Sequence, residues 1–149
     1  MNASHLHENQ IYSEAAFNIL LEYEIIRSIR YPAPISLVYI EVTTQTLDGE
    51  IPTSAFSIFE TTLNLRLRLV DIPTRYGTGY LILLPATNET GARVLCKRIR
   101  GIFEKEFKME EGKAVKFALR FGLASHTGGP TLIKETLIQA AEISLQQSY

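Results

Sequence analysis

The 149-residue chain is poor in the features that mark several large protein classes. It has one cysteine, Cys96. No internal disulfide can form, and a reducing, cytoplasmic setting is the expectation. It has no tryptophan and no apolar run near the roughly 20 residues that cross a bilayer. The opening "MNASHLHENQ" is polar and lacks the apolar centre of a signal peptide, so no membrane association is expected. Neither sign of charge dominates, with 15 basic against 16 acidic residues. Without a basic excess, non-specific nucleic-acid binding is not expected. There is no internal repeat, low-complexity tract or linker.

What is present suits one folded unit. Hydrophobic residues make up 46% and charged residues 21%, the balance of a globular domain. Residues 1–10 read as a loose tail and 11–149 as a single domain. Between Ile11 and Arg30, Phe17, Leu20, Leu21, Ile25 and Ile29 recur at helical spacing. "YPAP" ends that helix, because proline cannot continue the ladder. "ISLVYIEV", Ile35 to Val42, reads as a buried strand, and "TTQTLDGEIPT" as a loop. Phe56, Phe59, Leu63, Leu67 and Val70 mark the apolar face of a second helix, about Ser54 to Val70. "VDIPTRYGTGYLILLP" reads as a hairpin. Asn88 suits the N-cap of a third helix, with Ala92, Leu95, Ile99, Ile102 and Phe103 inward. A strand centred on Val115 to Ala124 and a last helix in "TLIKETLIQAAEISLQQ" complete the order α-β-α-β-β-α-β-α. That order predicts an α+β, ferredoxin-like palm: a mostly antiparallel central sheet with helices packed around it. The single crossovers on either side of the hairpin place those helices on one face.

At this level the chain resembles a GGDEF domain, the module of diguanylate cyclases. "EYEIIRSIRYPAPISLVYIEV" is similar to the family's first helix and metal-bearing strand. "LRLVDIPTRYG" and "LILLPATNETGARVLCKRIR" are similar to the runs into and out of its catalytic hairpin. "FALRFGLAS" and "LIQAAEISLQQ" resemble a later strand and the last helix. The pieces are individually unspecific; their order across nearly the whole chain carries the resemblance.

The resemblance implies a nucleotidyl-cyclase palm and shows what the site has lost. Joining two GTP molecules needs divalent metal held by carboxylates, to activate the attacking hydroxyl and neutralise phosphate charge. Glu41 stands at the position of one such carboxylate, but Thr43 stands where many members carry a second. No Asp or Glu lies between Ile72 and Asn88. "GTGYL" is one residue shorter than the family's stretch, and the loop after Glu41 lacks the family's substrate-binding run; Asp48 and Glu50 lie there with nothing to fix them. Glu41 alone reads as a solvent-facing acid or one paired with a neighbouring cation. The expectation is a domain that is not an enzyme, with no metal and no cofactor. Gly77 and Gly79 are expected to serve positive φ in a tight turn. Tyr76 and Tyr80 read as structural aromatics, with stacking on a base as the alternative.

A second family site binds cyclic di-GMP through an Arg, two spacers and an Asp upstream of the hairpin. "RLVD" supplies Arg68 and Asp71, with Asp71 six residues before Gly77. Arg98 in "CKRIR" matches a further arginine on the next helix. An Arg fork suits guanine O6 and N7 or phosphate, and a carboxylate suits guanine N1–H and N2–H. The resemblance thus implies cyclic di-GMP as a regulatory ligand at Arg68, Asp71 and Arg98. Arg27 and Arg30 are weaker candidates for a second contacting surface. The bland alternative is that Arg68 pairs locally with Asp71 and complements a helix end.

The leading expectation is a catalytically inactive GGDEF-like receptor for cyclic di-GMP that signals to a protein partner. The competitors are a nucleotide-free interaction or scaffold module and a GTP-binding regulatory domain. No sensor segment is visible, so input is expected through the ligand or another protein. The apolar stripe of the first helix reads as core, with a homodimer as the alternative. His5 and His7 read as chance, His126 as part of a turn, and Cys96 as core rather than nucleophile.

Overall fold

The computed structural model describes residues 11–46, 54–109 and 112–146. The tail with His5 and His7, and the loop with Asp48 and Glu50, lie outside the described residues. The elements in order are α1 (Glu14–Arg30), β1 (Ile35–Thr46), α2 (Ser54–Asn64), β2 (Ile72–Tyr76), β3 (Gly79–Pro85), α3 (Glu89–Ile102), β4 (Phe107–Lys108), β5 (Ala114–His126) and α4 (Lys134–Gln146). They form one five-stranded sheet in the order β2-β3-β1-β5-β4, and all its paired strands run antiparallel. The two-residue strand β4 was not anticipated; Phe107 and Lys108 pair with Val115 and Ala114. β1 runs to Thr46, past the expected end at Val42, because its later residues stay paired with β5 as far as Val115.

The sheet is covered on both faces, not one. Successive side chains of a strand point to opposite faces. On β1, Ile35, Leu37 and Tyr39 join Phe17, Leu21 and Ile25 of α1 and Leu137, Ala141 and Leu145 of α4. The alternate residues, Val38, Ile40 and Val42, join Phe59 and Leu63 of α2 and Ala92, Leu95 and Ile99 of α3. An unbroken apolar run such as "ISLVYI" or "LILL" is what a strand buried on both faces requires.

α1 begins after Ser13, whose hydroxyl accepts from the Ala16 N–H, a standard N-cap. Ile11 and Tyr12 therefore precede the helix, and Tyr12 forms a parallel bridge with Thr74. Asn88 caps α3 by accepting from Gly91 N–H, as its position predicts. α2 stops at Asn64 and does not reach Val70. The reason lies in the next turn: the Asp71 carboxylate takes the Arg68 backbone N–H at 2.8 Å, a donor that a continued helix would aim at Asn64. Val70, expected on the apolar face, is consequently exposed, as are its neighbours Leu65 and Leu69; Phe56, also expected on that face, is exposed in the first turn of α2.

Candidate functional site

The turn between α2 and β2 brings Arg68 and Asp71 together. Asp71 is buried. Its Oδ1 accepts from Arg68 Nε at 3.1 Å and Nη2 at 2.8 Å, and its Oδ2 accepts the Arg68 backbone N–H. Charge-assisted, forked bonds of this kind are the stronger class. Arg68 Nη2 also donates to Pro85 O at 3.2 Å and to Thr87 Oγ1. One guanidinium thus ties the α2–β2 turn to the β3–α3 turn, beside Ala86, which holds a left-handed φ of 49°. The Asp71 carboxylate is taken up by Arg68 in this arrangement and presents no free acceptor edge.

Arg98 approaches from α3. With Arg66, Arg68, Asp71, Thr87 and Val94 it lines a cleft of about 150 Å³. Arg66 and Arg98 are exposed, and neither side chain has an ion-pair partner among the described residues. The fold therefore gathers Arg68, Asp71 and Arg98 from two elements at one cleft and adds Arg66. Arg66 was missed because an exposed arginine beside "RLVD" carries no periodic signal of its own. Across the Arg68–Asp71 bridge lies a second cleft, lined by Tyr12, Asn64, Leu65 and Leu69 among others; there the buried Asn64 Nδ2 finds no hydrogen-bond acceptor among the described residues.

The hairpin between β2 and β3 is tight, with Gly77 and Thr78 at its tip. Gly77 has φ 56°, as the first central residue of a type II′ turn requires. Gly79 has a different reason. Its φ is not positive; a Cβ there would lie 1.8 Å from the Ile40 carbonyl oxygen, so the close approach of β3 to β1 admits only glycine. Across from Gly79, Glu41 of β1 forms an ion pair with Arg120 of β5 at 3.1 Å, which is the cation-paired reading of this acid. Among the described residues no cluster of three or more His, Cys, Asp or Glu could hold a metal ion.

One pair in from the hairpin's tip, where Arg75 faces Tyr80, sits a polar cluster that sequence reading missed. Glu60 of α2 is buried and accepts from Arg75 Nε at 2.6 Å, Arg75 Nη2 at 2.8 Å and Tyr80 Oη at 2.7 Å. Burial opposes its ionisation, but the Arg75 and Tyr80 hydrogen bonds and the Arg75 charge outweigh it and hold the carboxyl below its ordinary 4.5. Burial and the bond to Glu60 push the Tyr80 hydroxyl up. A signal was present: Glu60 follows Phe59 and precedes Leu63 by three, which puts an acid beside the buried stripe of a helix, where it needs a cation. Glu60 and Arg75 also border an open cleft of about 740 Å³ with Ser13, Phe56 and Thr74. Tyr76 donates to Glu142 at 2.8 Å, and both hairpin tyrosines have structural partners. Burial pushes the Cys96 thiol up to about 12, the behaviour of a core cysteine.

No family model and no curated protein matches the chain. Solved structures do. The GGDEF domain of FimX from Pseudomonas aeruginosa superposes with a TM-score of 0.77 at 16% identity, over 93% of this chain and 88% of that one. The diguanylate cyclase SiaD from the same organism, solved with its activator SiaC, gives 0.76 at 18% identity over 92% of this chain and 54% of that one. The coiled coil and GGDEF domain of DgcB from Caulobacter crescentus, in complex with c-di-GMP, gives 0.72 at 13% identity, covering 91% and 75%. The chain thus has the GGDEF-domain fold, a nucleotidyl-cyclase palm. No helix among the described residues is long and apolar enough to cross a membrane.

Proposed function

We propose that this chain is a GGDEF-type domain without cyclase chemistry that binds cyclic di-GMP at the cleft of Arg68, Asp71 and Arg98 and passes that state to a protein partner. The observation that carries the reading is the convergence of Arg98 and Arg66, both without an ion-pair partner among the described residues, on the Arg68–Asp71 pair. Two phosphates and two guanine edges are the acceptors such a set suits. Arg68 and Asp71 enter as a closed pair, so guanine exchanges with Arg68 at the Asp71 carboxylate while the guanidinium turns to O6, N7 or phosphate. DgcB, which shares the fold, is solved with c-di-GMP, and SiaD with a protein activator. Loss of the hairpin acids, and the commitment of Glu41 to Arg120, support the absence of catalysis.

The test is calorimetry with cyclic di-GMP and with GTP. Arg98→Ala is the cleaner variant, because Arg68 also holds two turns together. It is expected to weaken cyclic di-GMP binding roughly tenfold to a hundredfold, equivalent to about 1.5–3 kcal/mol. Equal affinity in wild type and Arg98→Ala would overturn the site. Incubation with GTP and Mg²⁺ or Mn²⁺ is expected to give no cyclic di-GMP. The closure of Arg68 on Asp71 favours a second reading, a nucleotide-free interaction module in which the pair only terminates α2. Absence of heat with either nucleotide would select it.

A further inference from the structure

The turn that follows α2, "NLRLRLV" over residues 64–70, leaves leucine outside. Leu65 is 76% exposed and Leu69 70%, and Val94 on α3 is 51% exposed. Single apolar side chains are ordinary at a protein surface, but these are grouped. Leu65 and Leu69 line a cleft of about 300 Å³ on one side of the Arg68–Asp71 bridge. Val94 lines the cleft of about 150 Å³ on the other side, with Arg66 and Arg98. Both clefts have Arg68 and Asp71 in their walls, so they make one grooved surface. Grouped apolar exposure of this kind marks an interaction site.

The charge of the groove limits what can cover it. Arg66 and Arg98 are exposed, with no ion-pair partner among the described residues. The one acid lining either cleft, Asp71, is already held by Arg68. A wholly apolar partner would bury two guanidinium groups without a counter-charge, which is costly. Carboxylates set among apolar side chains give the arginines charge-assisted acceptors while the leucines are covered. The arginines stand in a concave cleft, where a flat headgroup layer does not seat, whereas grooves of mixed character receive amphipathic segments.

We propose that this groove docks an acidic amphipathic segment of a protein partner, with apolar side chains against Leu65, Leu69 and Val94 and carboxylates on Arg66 and Arg98, and that cyclic di-GMP, by taking Arg98, displaces it. The displacement rests on the reading of the cleft as a cyclic di-GMP site; the docking does not.

Fluorescence anisotropy with labelled synthetic peptides of about 18 residues, roughly five helical turns, tests it. The probe carries leucine at helical spacing with glutamate between; one control replaces leucine by alanine and another replaces glutamate by lysine. The glutamate–leucine peptide is expected to bind wild type about tenfold or more tighter than either control. Leu65→Asp with Leu69→Asp, and separately Arg66→Glu, are each expected to weaken it about tenfold or more, with an unchanged melting temperature, since all three positions are exposed. Lys116→Glu, the same charge change at an exposed position on β5, is expected to bind as wild type. These arms contain no nucleotide, so they are decided apart from the cyclic di-GMP reading. Cyclic di-GMP, once calorimetry shows it bound, is expected to release the peptide. The proposal is overturned by no binding of the glutamate–leucine peptide, by equal binding of either control, by binding that survives Leu65→Asp with Leu69→Asp or falls equally with Lys116→Glu, by capture of phosphatidylglycerol vesicles through the same leucines, or by bound cyclic di-GMP that leaves the peptide in place.

Discussion

Glu60 is the most consequential side chain outside the arginine cleft. It is a buried acid with three hydrogen bonds to two partners, and each partner depends on it. Removing it leaves the Tyr80 hydroxyl without its acceptor in the core and frees Arg75. Glu60→Ala is expected to cost about 1–3 kcal/mol in urea denaturation, and Tyr80→Phe about 1 kcal/mol. The acid dependence follows from the lowered Glu60 pKa. The unfolded chain takes up the proton first as pH falls, so the stabilising contribution is complete above the ordinary 4.5. It is lost as pH falls through the folded value. The stability gap between wild type and Glu60→Gln should therefore narrow between pH 7 and about pH 3; a gap that does not change with pH would refute the ionised pairing. Both Glu60 and Arg75 stand in the sequence as ordinary charged residues. Only contact between α2 and β2 makes them partners, and no local spacing encodes a pair 15 residues apart.

At the level of elements, the start of α3 was more legible than the end of α2. Asn88 announced α3 because an N-cap is a local property of one side chain and the N–H groups that follow it. The end of α2 was misjudged because the apolar spacing continues through Leu67 and Val70, while the stop is imposed by Asp71 capturing the Arg68 N–H. Asp71→Asn keeps an acceptor for that N–H and should be the milder change; Asp71→Ala should cost about 1–3 kcal/mol through the unpaired guanidinium and amide. Asn88→Ala should cost about 1 kcal/mol. Thermal melts of the three variants rank them; an Asp71→Ala protein as stable as wild type would mean the bridge does not hold the turn. The same bridge explains why the cleft was only half readable. The order of Arg68 and Asp71 before the hairpin was plain, but their closure on each other depends on where the helix stops.

For the molecule as a whole, one sheet carries two cores. Phe59 stands at the centre of an aromatic group on the α2–α3 side, stacked on Tyr80 at 5.1 Å and Phe103 at 4.4 Å between ring centroids. Leu21 is fully buried on the other side. Because β1 and β3 contribute to both cores, the two faces cannot unfold separately without breaking shared strands. Phe59→Ala, costing about 3–5 kcal/mol, and Leu21→Ala, about 2–5 kcal/mol, should each lower one common transition. Far-ultraviolet and tyrosine near-ultraviolet circular dichroism should report the same midpoint; separate midpoints would show that the faces are independent. The sequence by itself determined the number and kind of the main elements, the hairpin, the Asn88 helix cap and the absence of acids at the hairpin tip, because each is fixed by short-range pattern or by composition. Tertiary structure decided that helices cover both faces, that Gly79 lies against the Ile40 carbonyl, that Glu60 meets Arg75 and that Arg98 shares a cleft with Arg68, because each depends on how distant segments are brought together in three dimensions.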